Sequence, residues 1–155
     1  MKRYICFLFL LLSIINSGCV SSTPGDAAQK SGHPNKAADL YKNGAQQGDG
    51  VAALKLGVLL DQGAVDVSKY GEAKVWFEKA CELGQLAGCH NLGVAYEYGK
   101  NGCSKNIEQA KKHYFIAANS GYMQSQYNLG SLYSNQYLFD DLEGYKWMLI
   151  AEKSA

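Results

Sequence analysis

The stretch AKVWFEKACELGQLAGCHNLGVAYEYG, residues Ala73 to Gly99, decides the fold. Ala73, Trp76, Phe77 and Ala80 fall at i, i+3, i+4 and i+7, which places them on one helix face. Gly84 closes that helix, as a glycine just past a C-terminus can. Cys89, Leu92, Gly93 and Tyr96 repeat the spacing in a second helix that ends at Gly99. The stretch therefore reads as two antiparallel helices joined by a tight turn.

Near-copies flank it on both sides. Leu-Gly pairs end at Gly57, Gly93 and Gly130, steps of 36 and 37 residues, and turn glycines stand at Gly48, Gly84 and Gly121. Ala37, Ala73 and Ala110 open the respective first helices, with Leu40, Tyr41 and Gly44, then His113, Tyr114 and Ala117, in matching places. A period of this size marks stacked helical hairpins, none of which buries its apolar face alone. The pattern predicts repeats near 37–72, 73–109 and 110–143 and a lone capping helix over Glu143 to Ala155, with Trp147 and Ala151 in register. Small residues at the hairpin seams let backbones approach closely while aromatics fill the space beside them.

These residues resemble the Sel-1-like repeat family, relatives of the tetratricopeptide repeat, whose phrase pairs an alanine, aromatics and a glycine turn with Leu-Gly and Tyr-x-x-Gly. The resemblance spans Ala37 to Ala151 and implies an all-α, right-handed α-solenoid that binds proteins, often in bacterial envelope or secretion settings. The third copy departs from it: Gln136 replaces the closing glycine, and Tyr137-Leu138-Phe139-Asp140-Asp141 replaces a Gly-x-Gly loop.

Composition narrows the function. Lys and Arg number 15 against 14 Asp and Glu in 155 residues, with no basic stripe, so nucleic acid is excluded as the expected partner. Lys2 and Arg3 precede an apolar run from Ile5 to Ile15 broken only by Ser13. Such a run is roughly 16 Å long as a helix, short of a ~30 Å hydrocarbon core, and reads as a signal peptide over residues 1–18. Asn16-Ser17-Gly18-Cys19 resembles the bacterial lipobox, with Asn16 where that motif prefers leucine. The resemblance implies lipidation of Cys19; ordinary secretory cleavage is the alternative. Val20, rather than aspartate, then points to the outer membrane. Residues 19–35, rich in Ser, Gly, Ala and Pro, read as a flexible tether to a repeat domain over residues 36–155.

Cys81 and Cys89 flank the Gly84 turn, where antiparallel helices can bring them within disulfide reach. Their setting, ACELG…GCHNLG, also resembles the cysteine-rich branch of the family, whose hairpins carry this bridge. The neighbouring hairpins have Ala45 and Ala53, then Ala118 and Gln126, so only the middle one is stapled. A disulfide agrees with export to an oxidising compartment. Cys103 is left over, as a buried thiol or as an intermolecular link.

No His-Glu-x-x-His, Gly-x-Ser-x-Gly or Ser-x-x-Lys with Lys-Thr-Gly occurs, so no catalytic residue, cofactor or metal set is assigned. Cys81, Cys89, His90 and Cys103 match no zinc spacing. Gly48-Asp49-Gly50 is a helix turn, and Glu78, Glu82 and Glu97 read as a solvated face. Resemblance to the cysteine-rich branch leaves one enzyme alternative, a protein that binds or slowly hydrolyses β-lactams.

Outward positions are more informative. Lys74, Glu78 and Lys79 become Lys111, Phe115 and Ile116 one repeat later, then Tyr145, Leu149 and Ile150 in the cap. With Tyr137, Leu138 and Phe139 they make a candidate partner-binding patch of Lys111, Phe115, Tyr137, Leu138, Phe139, Tyr145 and Leu149. Burial under a capping helix or self-association are the alternatives. Small lipoproteins of this family that neutralise secreted antibacterial effectors supply one concrete expectation for the partner; an envelope component supplies another.

Overall fold

The computed structural model describes residues 23–134 and 141–154. Among these the secondary structure is entirely helical: α1 Pro24–Lys30, α2 Pro34–Gln46, α3 Gly50–Asp61, α4 Val67–Tyr70, α5 Ala73–Glu82, α6 Leu86–Tyr98, α7 Ile107–Asn119, α8 Met123–Ser134 and α9 Asp141–Lys153. Successive long helices pack on one another in chain order, with α3 against α5 across the one-turn α4, so the molecule is an α-solenoid.

The three hairpin turns close identically. At Gly84 the glycine N–H donates to the Cys81 carbonyl and the Gln85 N–H to the Ala80 carbonyl. The same pair of bonds recurs at Gly48 (to Ala45 and, from Asp49, Gly44) and at Gly121 (to Ala118 and, from Tyr122, Ala117). This is the Schellman arrangement, and it requires the positive φ of 81°, 91° and 87° found at Gly84, Gly48 and Gly121. Asp49 then caps α3 by accepting from Val51 and Ala52 N–H, and Asn106 caps α7 through Gln109 N–H.

Hairpins join through a ring laid on bare backbone. A Cβ on Gly57 of α3 would stand 2.6 Å from the Phe77 ring of α5. Gly93 of α6 meets the Tyr114 ring of α7 in the same way. At the last step Gly130 of α8 meets Met148 and the Gly144 carbonyl of α9, a thioether doing what a ring does elsewhere. Phe77 and Tyr114 are fully buried, a contribution of about 1.5–3 kcal/mol each.

The expected tether is corrected over residues 23–35, residues 19–22 lying outside the described ones. Gly25 in α1 faces the Tyr41 ring of α2, so Pro24–Lys30 packs on α2 as a second-type helix does on the next hairpin. Thr23 and Asp26 form a reciprocal capping box at its start. The Tyr41 hydroxyl donates to Asp26 (2.7 Å) and lies 3.0 Å from the Gln29 side-chain amide, and Asp26 pairs with Lys55. Glu97 is a second correction. It is no solvated residue but accepts the Tyr114 hydroxyl at 2.7 Å, one turn beyond Gly93 as Gln29 is one turn beyond Gly25. The last helix starts at Asp141, taking in the end of the expected loop; Tyr137, Leu138 and Phe139 lie outside the described residues.

Cys81 and Cys89 are bonded, with Cα atoms 4.7 Å apart, and Cys103 is a buried free thiol. Closing so short a loop removes about 2.5 kcal/mol of unfolded-chain entropy. Replacing both cysteines by alanine, the pair that serves the first hairpin, is expected to lower the melting temperature by roughly 5–10 °C while leaving the helical circular dichroism unchanged. An unaltered melt would show that the bridge does not constrain the hairpin.

Candidate protein-binding surface

The first-type helices α5, α7 and α9 carry a repeated arrangement beside the core. The Lys74 ammonium lies 5.5 Å from the centroid of the Tyr96 ring, and Tyr96 stacks on His113 with centroids 5.5 Å apart and planes 2° from parallel. One repeat on, Lys111 lies 5.9 Å from the Tyr133 centroid, and Trp147 takes the place of His113. Cation–ring contacts of this kind hold long lysines against the surface. Cys103 lies close enough to Tyr96 and Lys74 to feel both, while burial pushes its thiol up. Among the described residues no three His, Cys, Asp or Glu side chains converge as metal ligands.

From this base the outward positions diverge. Lys74 and Glu78 pair across one turn of α5, whereas Phe115 and Ile116 leave α7 exposed and apolar. Phe115 is 47% exposed and Tyr145 60%, values that leave most of an aromatic face available to a partner. The Phe115 and Trp147 rings meet edge to face at 5.8 Å. Leu149 is half-buried, and Lys111 is half-buried and paired with Glu108 at 2.8 Å. Lys111 and Phe115 lie one turn apart on α7, and Phe115 meets α9 through Trp147; Tyr145 and Leu149 stand two residues either side of Trp147, on the other face of α9. Cys19, Tyr137, Leu138 and Phe139 fall outside the described residues.

Sequence reading missed Tyr96, Tyr133 and Trp147 as surface elements. The signal was present, since Lys74/Lys111, Tyr96/Tyr133 and His113/Trp147 occupy equal repeat positions, but the periodicity marks these rings as core rather than rim.

The Sel1 repeat family matches residues 29–49, 50–85, 86–122 and 124–153. The chain belongs to the Sel1 repeat family. The fourth match runs through α9, and the first takes in the end of α1, so both terminal helices count as parts of repeats. The putative β-lactamase HcpC of Helicobacter pylori is 48% identical over 40 residues, which is 26% of this chain and 13% of that protein. A Sel1 repeat protein from Oxalobacter formigenes superposes with a TM-score of 0.71 at 25% identity, over 84% of this chain and 56% of that chain. A protective antigen present in uropathogenic Escherichia coli strains, displaying an SLR fold, superposes with a TM-score of 0.69 at 29% identity, over 77% and 26% of the two chains. This chain therefore spans only part of each relative. Sel1 repeat proteins bind other proteins, and this scaffold suits that task.

Two histidines tie the surface to pH. His113 is held below the usual imidazole range by burial, reinforced by Lys112 and Lys74, and its Nδ1 is buried without a hydrogen-bond partner. His90, between the rings of Tyr114 and Tyr122 and bonded through Nδ1 to the Ser125 hydroxyl at 2.9 Å, is lowered by burial alone. With folded values below the unfolded one, the unfolded chain takes up protons first. Their contribution is therefore intact above about pH 6.5 and falls as pH drops through that value. The melting temperature is expected to fall between pH 7.5 and 5, and His113→Phe to fall less steeply. Parallel profiles for the two proteins would contradict the assignment.

Proposed function

We propose that this chain is a lipid-anchored, periplasm-facing adaptor or inhibitor that holds a protein partner on the α7–α9 flank. The observation that carries the reading is the exposed Phe115 ring seated on the half-buried Trp147, with Tyr145 exposed on the same last helix of a family scaffold suited to binding. Contiguous exposed apolar groups mark interaction sites, and Phe115 and Ile116 are adjacent and both exposed.

Cys19 is the proposed anchor, with Val20 favouring the outer membrane. Only residues 20–22 separate it from Thr23, the first described residue, a span of at most about 14 Å. So short a link keeps the α1 end beside the bilayer and leaves α9 farthest along the array. Among the described residues no helix is long and apolar enough to cross a membrane. The most specific version of the reading is stoichiometric neutralisation of an antibacterial effector reaching the periplasm. An array that presents a rigid flank suits an inhibitor that acts by occupancy.

The name of HcpC supports a second reading, β-lactam binding or slow hydrolysis. Turnover of nitrocefin by the purified chain would establish it.

The primary reading is tested with the full chain in detergent, captured against periplasmic proteins and against effectors encoded beside it. The double variant Phe115→Ser, Tyr145→Ser is expected to lose at least ten-fold in partner recovery, roughly the effect of removing two aromatic anchors, with an unchanged melt. Equal recovery would overturn the flank. Growth rescue of cells receiving the effector separates neutralisation from adaptor binding. Radiolabelled palmitate should enter the wild type and not Cys19→Ala; labelling of both would remove the anchor.

A further inference from the structure

Asparagine precedes glycine twice in the chain, at Asn43-Gly44 and at Asn101-Gly102. The dipeptide is chemically labile, because a glycine has no Cβ to shield its backbone nitrogen from the carboxamide carbon of the asparagine before it. Asn43 is the more exposed of the two side chains, so exposure alone would favour reaction there. Backbone geometry favours the other site. Asn43 and Gly44 lie inside α2, where the helical ladder engages the Gly44 N–H and fixes the backbone of both residues. Tyr41 and Ala45 beside them are buried, so opening α2 at this point would undo a core seam.

Asn101 and Gly102 sit instead at the centre of a tight turn between α6 and α7. The Cys103 N–H closes it on the Lys100 carbonyl at 2.9 Å, and both central residues have positive φ, 60° at Asn101 and 86° at Gly102. Such signs match a type I′ turn, for which Asn-Gly is a preferred pair. Among the described residues Asn101 is the one non-glycine with positive φ. Gly102 is exposed, and among the described residues no backbone acceptor engages its N–H. Bringing this nitrogen onto the Asn101 side chain needs only the turn to open, a local event that leaves the helices intact.

The same turn is a clasp between repeats. Asn101 Nδ2 donates to the carboxylate of Asp61, the last residue of α3, at 2.8 Å, and the Lys100 ammonium pairs with the same oxygen at 3.1 Å. The Asn101 carbonyl accepts the Lys74 N–H at the start of α5 at 3.1 Å, and a Cβ on Gly102 would stand 3.0 Å from that of Glu72. We infer that Asn101 is a modification site at which the folded chain deamidates, and that the change opens this clasp. The Gly102 nitrogen bonds to the Asn101 Cγ, and its proton passes through water to Nδ2. The Cγ–Nδ2 bond breaks, ammonia departs, and a cyclic imide remains. Water opens that imide at either carbonyl, giving aspartate or isoaspartate, with no oxidant or cofactor required. The product carries a carboxylate where Nδ2 stood, so the donor to Asp61 becomes a like charge beside it. Isoaspartate also reroutes the backbone and displaces the carbonyl that holds Lys74. Asp61 meanwhile restrains the reaction, because Nδ2 leaves only after its charge-assisted bond to that carboxylate breaks.

The full chain in detergent is aged at mildly alkaline pH and physiological temperature, digested in acid, and mapped by mass and by isoaspartate content. Asn101 should convert about ten-fold or more faster than Asn43 in the folded chain, and the two should agree to within about two-fold in urea, where no backbone protects either. Asp61→Ala should speed Asn101 about three-fold or more by removing the restraint, with Asn43 unchanged. Asn101→Asp, which supplies one product directly, should melt about 2–5 °C below the wild type, and Asp61→Asn in that background should restore most of the loss. Conversion of Asn43 as fast as Asn101 in the folded chain would overturn the site, and so would an Asn101 that reacts in urea but not when folded. A rate that Asp61→Ala leaves unaltered would overturn the restraint, and an unchanged melt for Asn101→Asp would overturn the clasp.

Discussion

The architecture depends on aromatic rings resting on helices that lack side chains at the point of contact. Gly57 under Phe77 and Gly93 under Tyr114 bring consecutive hairpins closer than any β-carbon would permit, and the buried ring fills the resulting space. Glycine inside a helix costs about 1 kcal/mol against alanine, so its recurrence in mid-helix has to be offset by packing. The buried aromatic supplies that offset. Gly25 under Tyr41 extends the same device to α1, which Asp26, Gln29 and Lys55 secure on α2 and α3.

Because each hairpin is held by its neighbours through a few invariant seams, the outward positions are free to differ. The middle of the array uses that freedom for a lysine–glutamate pair on α5, while the distal end uses it for Phe115, Ile116 and Tyr145. The array's polar groups serve the stack: Tyr114 is spent on Glu97, His90 on Ser125, and the ammonium of Lys74 lies over Tyr96. A solenoid built in this way offers its flanks to other molecules.

Much of this was readable in the residues. The Leu-Gly spacing gave the hairpins, the turn glycines gave the helix ends, and the cysteines either side of Gly84 gave the bridge, because each rests on a short-range constraint that few residue types satisfy. The α1 helix was not readable in the same way. Thr23 to Lys30 has the composition of a linker, and Gly25 declares itself a packing glycine only once Tyr41 lies on it. Glu97 was misplaced for a related reason: its hydroxyl donor comes from the next hairpin, at a distance in sequence that periodicity on one helix does not report. The Lys–Tyr–ring sets along α5, α7 and α9 fell between core and surface, since an aromatic can satisfy the core pattern and still show an edge.

A double-mutant cycle between Gly93 and Tyr114 tests the central contact most directly. Gly93→Ala should destabilise the wild-type chain by about 1–3 kcal/mol, despite alanine's better helix propensity. In a Tyr114→Ala background the same change should cost little or even stabilise, for a coupling of at least about 1 kcal/mol. Effects that add to within about 0.5 kcal/mol would contradict the account, because the ring and the bare backbone would then be contributing independently.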